Sequence, residues 1–203
     1  MILGDIFAAG SETTTTCLRW LTVYLLYWPR IQEEVYNEIV RVVGLHRYPD
    51  LQDRKDLPLA MATIQEALRM SSLLPLGVPH KSMKDSSISG RSIPKDTQIL
   101  LNLWSIHHDP AEWKNPEEFD PYRWLDEEGK YNPGGYKSFL PFSAGRRVCI
   151  GESMARTELF LFFSRLIKDY KIEQNPNESL PSLQGRMGFV LAPHPFTVIF
   201  TGR

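Results

Sequence analysis

Apolar residues recur at close to the 3.6-residue period of an α-helix in three stretches along the first third of the chain. The first predicted helix covers residues 2–27 and carries the small residues of the tetrapeptide AAGS near its middle. The second begins at Pro29, a residue favoured in a first helical turn, and ends at Gly44, which suits a helix C-terminus. The third is predicted over residues 58–70.

The pattern changes after the third helix. Short apolar runs alternate with turn residues over 75–103, which predicts a small β-sheet. Residues 109–148 are rich in Pro, Gly, Asn and aromatic residues, and a loop of that length in a compact domain usually carries function. A last long helix is predicted over 150–170, and short strands over 171–203. The inward face of that helix is predicted to consist of Met154, Leu161, Phe162 and Leu166.

These elements predict a mainly α fold, of the α+β class, with a long helix, a small sheet and no break into two domains. The chain of 203 residues is 42% hydrophobic and has a formal net charge of -1, so no strong field favours nucleic acid or an anionic surface. Its two cysteines, Cys17 and Cys149, lie too far apart to suggest a disulfide framework, and Cys17 fits a small apolar helix position. No signal peptide or membrane span is recognisable.

The strongest chemical signal is the segment FSAGRRVCIG at residues 142–151, before the last predicted helix. Two arginines and a helix N-terminus near Cys149 favour a charged sulfur. Gly145 and Gly151 allow the backbone to approach a flat, bulky group, and Phe142 is placed to pack beneath that group. A lone cysteine in such a place would more simply be a buried structural residue.

The spacing F-x-x-G-x-R-x-C-x-G decides between these readings, because it resembles the signature of the cytochrome P-450 superfamily. The resemblance implies a heme cofactor whose iron takes Cys149 as its thiolate axial ligand. It also implies that Phe142, Gly145 and Gly151 lie against the heme and that Arg147 binds a propionate. His80, in the tetrapeptide VPHK, matches a second propionate-binding position; its alternative is an ordinary strand histidine.

A second segment, AGSETT at residues 9–14, resembles the oxygen-activating segment of that superfamily. The resemblance implies that Glu12 and Thr13 are catalytic and deliver protons during oxygen activation. The alternative for Thr13 is a hydrogen bond to the carbonyl four residues earlier in its own helix. The intact pair disfavours the isomerases and dehydratases of the superfamily, which need no external oxygen.

Glu66 and Arg69 resemble the E-x-x-R pair of the superfamily, with Arg123 as its partner, and we interpret the three as structural. Tyr122 stands where the superfamily usually has an acidic residue. The same spacing at Glu38 and Arg41 needs no special role. A metal site at residues 107–109 is rejected because adjacent side chains diverge.

Further stretches, among them residues 78–81, 102–108 and 180–183, resemble the steroid-hydroxylating microsomal members. They imply a monooxygenase that inserts one oxygen atom from dioxygen into a lipophilic substrate, and a xenobiotic-oxidising relative or a non-catalytic heme-binding product remains the alternative. The implied apolar substrate pocket consists of Ala8, Ala9, Leu73, Leu74, Val78, Phe189 and Val190.

The resemblance also implies redox partners. Electrons would come from NADPH through a flavoprotein reductase, and a b-type cytochrome would dock on the same basic face. Arg54 and Arg156 match basic positions there, whereas Gln65 replaces a third. Residues 1–203 are then expected to be the C-terminal part of a domain. The absent N-terminal half would anchor it to the cytosolic face of the endoplasmic reticulum membrane, and these residues alone would be a poor enzyme.

Overall fold

The computed structural model describes residues 2–203 and contains, within that range, five α-helices and eight short β-strands. The helices are α1 (Ile2–Tyr27), α2 (Pro29–Val43), α3 (Pro58–Ser71), α4 (Leu103–His108) and α5 (Glu152–Asp169). The strands are β1 (His80–Lys81), β2 (Ser86–Ile88), β3 (Arg91–Ile93), β4 (Gln98–Ile99), β5 (Tyr170–Gln174), β6 (Arg186–Met187), β7 (Leu191–Ala192) and β8 (Val198–Gly202). The predicted mainly helical fold with small sheets is confirmed.

The first three helices begin where the sequence predicts and end within one residue of the predicted positions. Pro29 occupies the first turn of α2, and Gly44 ends that helix with a φ of 78°, a conformation that favours glycine. The apolar stripe of α2 is buried at Ile31, Val35 and Ile39. Local signals and tertiary burial therefore agree in this part of the chain.

The core lies between the C-terminal half of α1 and helices α2, α3 and α5. Trp20 and Tyr24 of α1 stack with ring centroids 5.5 Å apart, and Phe119 from the long loop stacks on Tyr24 at 4.7 Å. The N-terminal turns of α1 differ, because Leu3 is 84% exposed and Phe7 is 75% exposed. One helix therefore has a buried half and a half that presents apolar side chains to the surface.

The predicted inward face of α5 is wrong in part. Met154 and Phe162 are 68% and 59% exposed, and Leu161 and Leu166 are half-buried. The sequence LFLFF places apolar residues on more than one face of this helix, so periodicity does not choose among them. Packing against the other core helices buries a different set: Leu159, Phe160, Phe163 and Ile167.

The strands form four separate antiparallel pairs, β1 with β4, β2 with β3, β5 with β8, and β6 with β7. The sheet predicted over 75–103 is thus two short ladders, and α4, which follows it, is not predicted. The longest pairing aligns Tyr170–Gln174 with Val198–Gly202. In the described part of the chain, no helix combines the length and apolar character needed to cross a membrane.

Candidate functional site

The loop before α5 is folded back on itself, so that Cys149 lies beside Phe142. The amide of Cys149 donates to the carbonyl of Phe142 at 3.0 Å, and the amide of Ser143 donates to the carbonyl of Leu140 at 3.0 Å. Ser143 and Gly145 both have positive φ, 63° and 76°. These two residues reverse the chain direction, which explains the need for glycine at 145.

The Cys149 side chain is exposed at the end of this loop. A Cβ built on Gly151 would lie 3.9 Å from its sulfur, and one built on Gly145 would meet no atom within 4 Å. The helix N-terminus is nearby, because the Cys149 carbonyl accepts from the amide of Glu152, the first residue of α5. The loop therefore presents an accessible thiol, with little side-chain bulk around it, at the positive end of a helix.

Phe142 is half-buried and packs on the core. The guanidinium of Arg156 lies 4.8 Å from the centre of its ring. Arg156 is further held by Glu152 Oε1 at 2.8 Å and by Gln65 Oε1 at 3.0 Å. Gln65 is buried, so this residue, noted in the sequence only as a missing basic charge, orients a neighbouring arginine.

The structure brings Glu66, Arg69 and Arg123 together, as predicted. Glu66 Oε1 accepts from Arg69 at 2.8 Å and from Arg123 at 3.1 Å. Its Oε2 accepts from Arg69 Nε and from Trp124 Nε1, both at 2.9 Å. Glu66 and Arg69 are fully buried, and the arginine also donates to the carbonyl of His107 at 2.8 Å. The network ties α3 to the long loop that leads to Cys149.

Thr13 is half-buried and its hydroxyl donates to the carbonyl of Ala9 at 2.7 Å. This is the intrahelical bond named as the alternative reading of that residue. Glu12 is exposed. Because the threonine oxygen keeps its lone pairs when it donates, the bond leaves it able to accept from a further donor.

The residues of the predicted substrate pocket differ in exposure. Val78 and Phe189 are 59% and 76% exposed, whereas Val190 is buried at 3%. Ala8 and Ala9 lie on the exposed half of α1, and Leu73 and Leu74 are half-buried after α3. The Leu191 amide donates to the Leu73 carbonyl at 2.8 Å, so the β6–β7 turn and the segment after α3 are neighbours.

Three of the predicted site residues have polar groups available for a ligand. His80 lies on β1, and its Nδ1 is buried without a hydrogen-bond partner among the described residues. A buried unpaired nitrogen is costly unless a ligand or water pairs with it. Arg147 and Cys149 are exposed on the loop. A cysteine thiol, an arginine and an unpaired imidazole nitrogen fit a group with a metal centre and acidic substituents.

Sequence reasoning missed two buried residues that position these elements. Glu38 of α2 accepts from the amides of Leu59 and Ala60, both at 2.9 Å, and so caps the N-terminus of α3 from another helix. The sequence did offer one sign of this role, because Glu38 is a charged residue next to the apolar stripe of α2. His107 pairs with Ser72 and Leu140.

The described residues contain no group of three or more potential ligands placed to hold a metal ion by themselves.

Comparisons with known proteins give the same assignment as the loop. Residues 1–200 match the family model described as Cytochrome P450. The chain is 48% identical over 198 residues to steroid 17-alpha-hydroxylase/17,20 lyase of Gallus gallus, covering 98% of this chain and 39% of that protein. It is 44% identical over 202 residues to cytochrome P450 2U1 of Bos taurus, covering 100% of this chain and 37% of that protein.

A solved structure of a zebra fish cytochrome P450 with progesterone superimposes with a TM-score of 0.91 at 47% identity, covering 97% of this chain and 45% of that one. A second zebra fish structure, with abiraterone, gives a TM-score of 0.92 at 46% identity, with 98% and 47% covered. The chain thus spans about two fifths of the length of its curated relatives. With nearly every residue matched by the family model and the cysteine loop in place, the chain belongs to the cytochrome P450 family.

Proposed function

We propose that this chain is the heme-binding part of a monooxygenase that hydroxylates steroids, and that Cys149 is the axial ligand of the heme iron. The observation that carries the proposal is the exposed Cys149 thiol at the tip of a loop closed by its own hydrogen bond to Phe142. Heme is the cofactor of the cytochrome P450 family to which the chain belongs. One protein sulfur would be sufficient, because the porphyrin would itself supply the other protein-independent ligands of the iron.

The residues around Cys149 fit a heme. Gly151 leaves room beside the sulfur, and Gly145 leaves open space beside the loop. Phe142 would pack against the ring on the sulfur side. Arg147 and His80 would pair with the propionates, and His80 would then no longer leave its Nδ1 unpaired. When bound, the heme supplies dioxygen reduction and the insertion of one oxygen atom into a substrate C–H bond.

Thr13 and Glu12 would hold and move protons. The hydroxyl of Thr13 donates to Ala9, which orients its lone pairs for a water molecule. Glu12 is exposed and would exchange protons with solvent. The buried network of Glu66, Arg69 and Arg123 is proposed to be structural, because its groups bond one another and leave no free carboxylate oxygen.

The steroid substrate is supported by the relatives and by the apolar surface. The Gallus gallus relative is named as a steroid 17-alpha-hydroxylase, and one matching zebra fish structure contains progesterone. Ala8, Val78 and Phe189 present apolar surface of the kind a steroid would bury. The chain is nearly as similar to cytochrome P450 2U1, whose name specifies no steroid, so a lipophilic substrate other than a steroid is the second candidate.

We further propose that residues 1–203 form the C-terminal part of a longer domain, since they span 39% of the Gallus gallus relative. The exposed apolar side chains of α1 would then be covered by the rest of that domain, and without it the chain would be a poor enzyme. We place the protein at the endoplasmic reticulum membrane, facing the cytosol, through a segment outside this chain.

The redox partners are proposed to be an NADPH-dependent flavoprotein reductase and a b-type cytochrome. Arg54 and Arg156 line the same groove as Cys149 and Ile150. A basic rim beside the thiolate suits an acidic partner surface that delivers electrons. Because Arg156 is already paired with Glu152, Arg54 would contribute the larger share of the free positive charge.

The test is a carbon monoxide difference spectrum of the reduced, heme-loaded protein, followed by titration with progesterone. We expect a thiolate-type band, lost in Cys149→Ser and retained in Cys17→Ser, because Cys17 is buried in the core. Progesterone should shift the heme absorbance if it binds beside the heme. Retention of the thiolate band in the Cys149→Ser variant would contradict the assignment of the ligand. A normal band without any response to steroids would favour the second substrate class.

A further inference from the structure

The imidazole of His107, in the last turn of α4, connects two separate segments of backbone. The residue is 1% exposed. Its Nε2 lies 3.0 Å from the amide of Leu140, just before the cysteine loop. Its Nδ1 lies 2.8 Å from the hydroxyl of Ser72, just after α3. No other side chain in the described residues bonds the backbone of Leu140.

These contacts allow only one arrangement of protons. A backbone amide can only donate, so Nε2 must accept from Leu140 and carry no proton. The Ser72 hydroxyl donates to the carbonyl of Arg69 at 2.9 Å, so its oxygen accepts a hydrogen bond from the protonated Nδ1. The ring is therefore neutral, with its proton on Nδ1. Burial, aided by the charges of His108 and Arg69, lowers the pKa of His107 to about 3, which agrees with a neutral ring.

The Leu140 contact continues into the cysteine loop. The carbonyl of Leu140 accepts from the amide of Ser143, and the carbonyl of Phe142 accepts from the amide of Cys149, both at 3.0 Å. A β-turn over residues 140–143 and the loop closed between Phe142 and Cys149 thus separate the histidine from the thiol. Movement of Leu140 would change the start of the turn, and through it the position of Phe142, where the loop begins.

The other side of His107 belongs to the buried ion network. Its carbonyl accepts from Arg69, and Arg69 is held by both oxygens of Glu66. Arg69 and Glu66 are fully buried, so this side of the contact is anchored in the interior of the protein. The Phe139 ring lies against the imidazole with centroids 5.7 Å apart. His107 therefore fixes the segment before Phe142 relative to α3, because it bonds both.

We infer that His107 is a positioning residue for the thiolate ligand: by accepting the Leu140 amide it sets the start of the cysteine loop and keeps Cys149 in register with the heme iron. The inference rests on the proposed heme-thiolate function. Its partner is the backbone of this chain, and it needs no contact between His107 and the heme.

The experiment compares the carbon monoxide spectra of three variants of the heme-loaded protein. His107→Leu removes the acceptor, and we expect most of the thiolate band to be replaced by the band of a protonated or displaced thiol. His107→Gln retains an acceptor at the same distance from the backbone and should restore the thiolate band. His108→Leu is the matched control, since His108 stacks on Trp104 and bonds its carbonyl without contacting the loop. It should leave the band unchanged.

Amide hydrogen exchange of the same proteins gives a readout that does not depend on heme ligation. In His107→Leu the Leu140 and Cys149 amides should exchange about tenfold faster, as expected for one lost hydrogen bond, and in His107→Gln they should be as slow as in the wild type. If His107→Leu does not fold, His107→Asn replaces it, because its shorter amide reaches Ser72 but not Leu140.

The outcomes separate the two proposals. A wild-type protein without a thiolate band contradicts the proposed function, while the exchange rates still test the histidine. A wild-type band that persists in folded His107→Leu or His107→Asn overturns the positioning role, as does failure of His107→Gln to restore it.

Discussion

The indole Nε1 of Trp124 donates to Glu66 Oε2 at 2.9 Å, although the two residues are 58 positions apart in the sequence. Together with Arg69 and Arg123, it fills the hydrogen-bonding capacity of one fully buried carboxylate. Burying a charge is tolerable only when it is paired in this way. The Glu66 carboxylate therefore holds the long loop to α3 through Trp124 and Arg123.

Replacing Glu66 by Gln should lower the free energy of unfolding by about 3–5 kcal/mol, because it leaves the buried Arg69 without its counter-charge. Urea unfolding followed by circular dichroism measures the change. The control is Glu127→Gln, an exposed acidic residue, which should change the midpoint little. An unchanged midpoint in Glu66→Gln would contradict the stabilising role of the network.

The stability of the protein should fall on mild acidification because of His107. Its folded pKa is about 3, lowered by burial, whereas the unfolded value is near 6.5. Above 6.5 neither state binds the proton, so the full stability is present. As the pH falls from 6.5 toward 3, only the unfolded chain is protonated, and stability is lost at about 1.4 kcal/mol per pH unit.

Urea midpoints measured between neutral pH and about pH 5 test this slope. His107→Gln should flatten it. His108 has a pKa lowered in the same direction by burial, so His108→Leu should remove a separate part of the slope. If His107→Gln and the wild type show the same slope, the assignment of a neutral buried ring is wrong.

Thiol reagents should label one of the two cysteines. Cys149 is exposed, whereas burial raises the pKa of Cys17 to about 12 and encloses its sulfur. Mass spectrometry of the folded protein treated with iodoacetamide should therefore show modification at Cys149 alone, and added heme should protect it. Rapid labelling of Cys17 in the folded protein would be incompatible with the packing of α1.

The remote cap supplied by Glu38 should contribute measurably to stability. Glu38→Ala removes the acceptor for the amides of Leu59 and Ala60 at the start of α3, at an expected cost of about 1–3 kcal/mol. Asn37→Ala, one position away on the exposed face, should have little effect. Equal midpoints for the two variants in thermal unfolding would show that the cap is dispensable.

A methyl group on Gly185 should displace the β6–β7 hairpin. A Cβ there would lie 2.6 Å and 2.7 Å from side-chain atoms of Leu191 and 3.1 Å from Trp20. Gly185→Ala should cost about 1–3 kcal/mol through overpacking and should weaken progesterone binding, because Phe189 is carried by this hairpin. In Gly134→Ala the nearest atom is 3.8 Å away, and neither property should change. Progesterone titration and thermal unfolding measure both.

Local sequence determined the first three helices and the position of the cysteine loop. Pro29 and Gly44 mark the ends of α2, and the spacing of Phe142, Cys149 and Gly151 is the family signature, because each depends on neighbours within a few residues. The E-x-x-R spacing pointed to Glu66 and Arg69, which form a buried ion pair. Short-range rules carry this information since backbone conformation and motif spacing are local properties.

Only the tertiary structure decided which face of α5 is buried and which polar residues make long-range hydrogen bonds. The apolar run at α5 could bury several faces, and only its packing partners bury Phe160 in place of Phe162. Glu38 caps a helix 21 residues away, and His107 reaches an amide 33 residues away. Burial and long-range hydrogen bonds depend on which distant segments pack together. Neither hydrophobic periodicity nor secondary-structure propensity determines that packing.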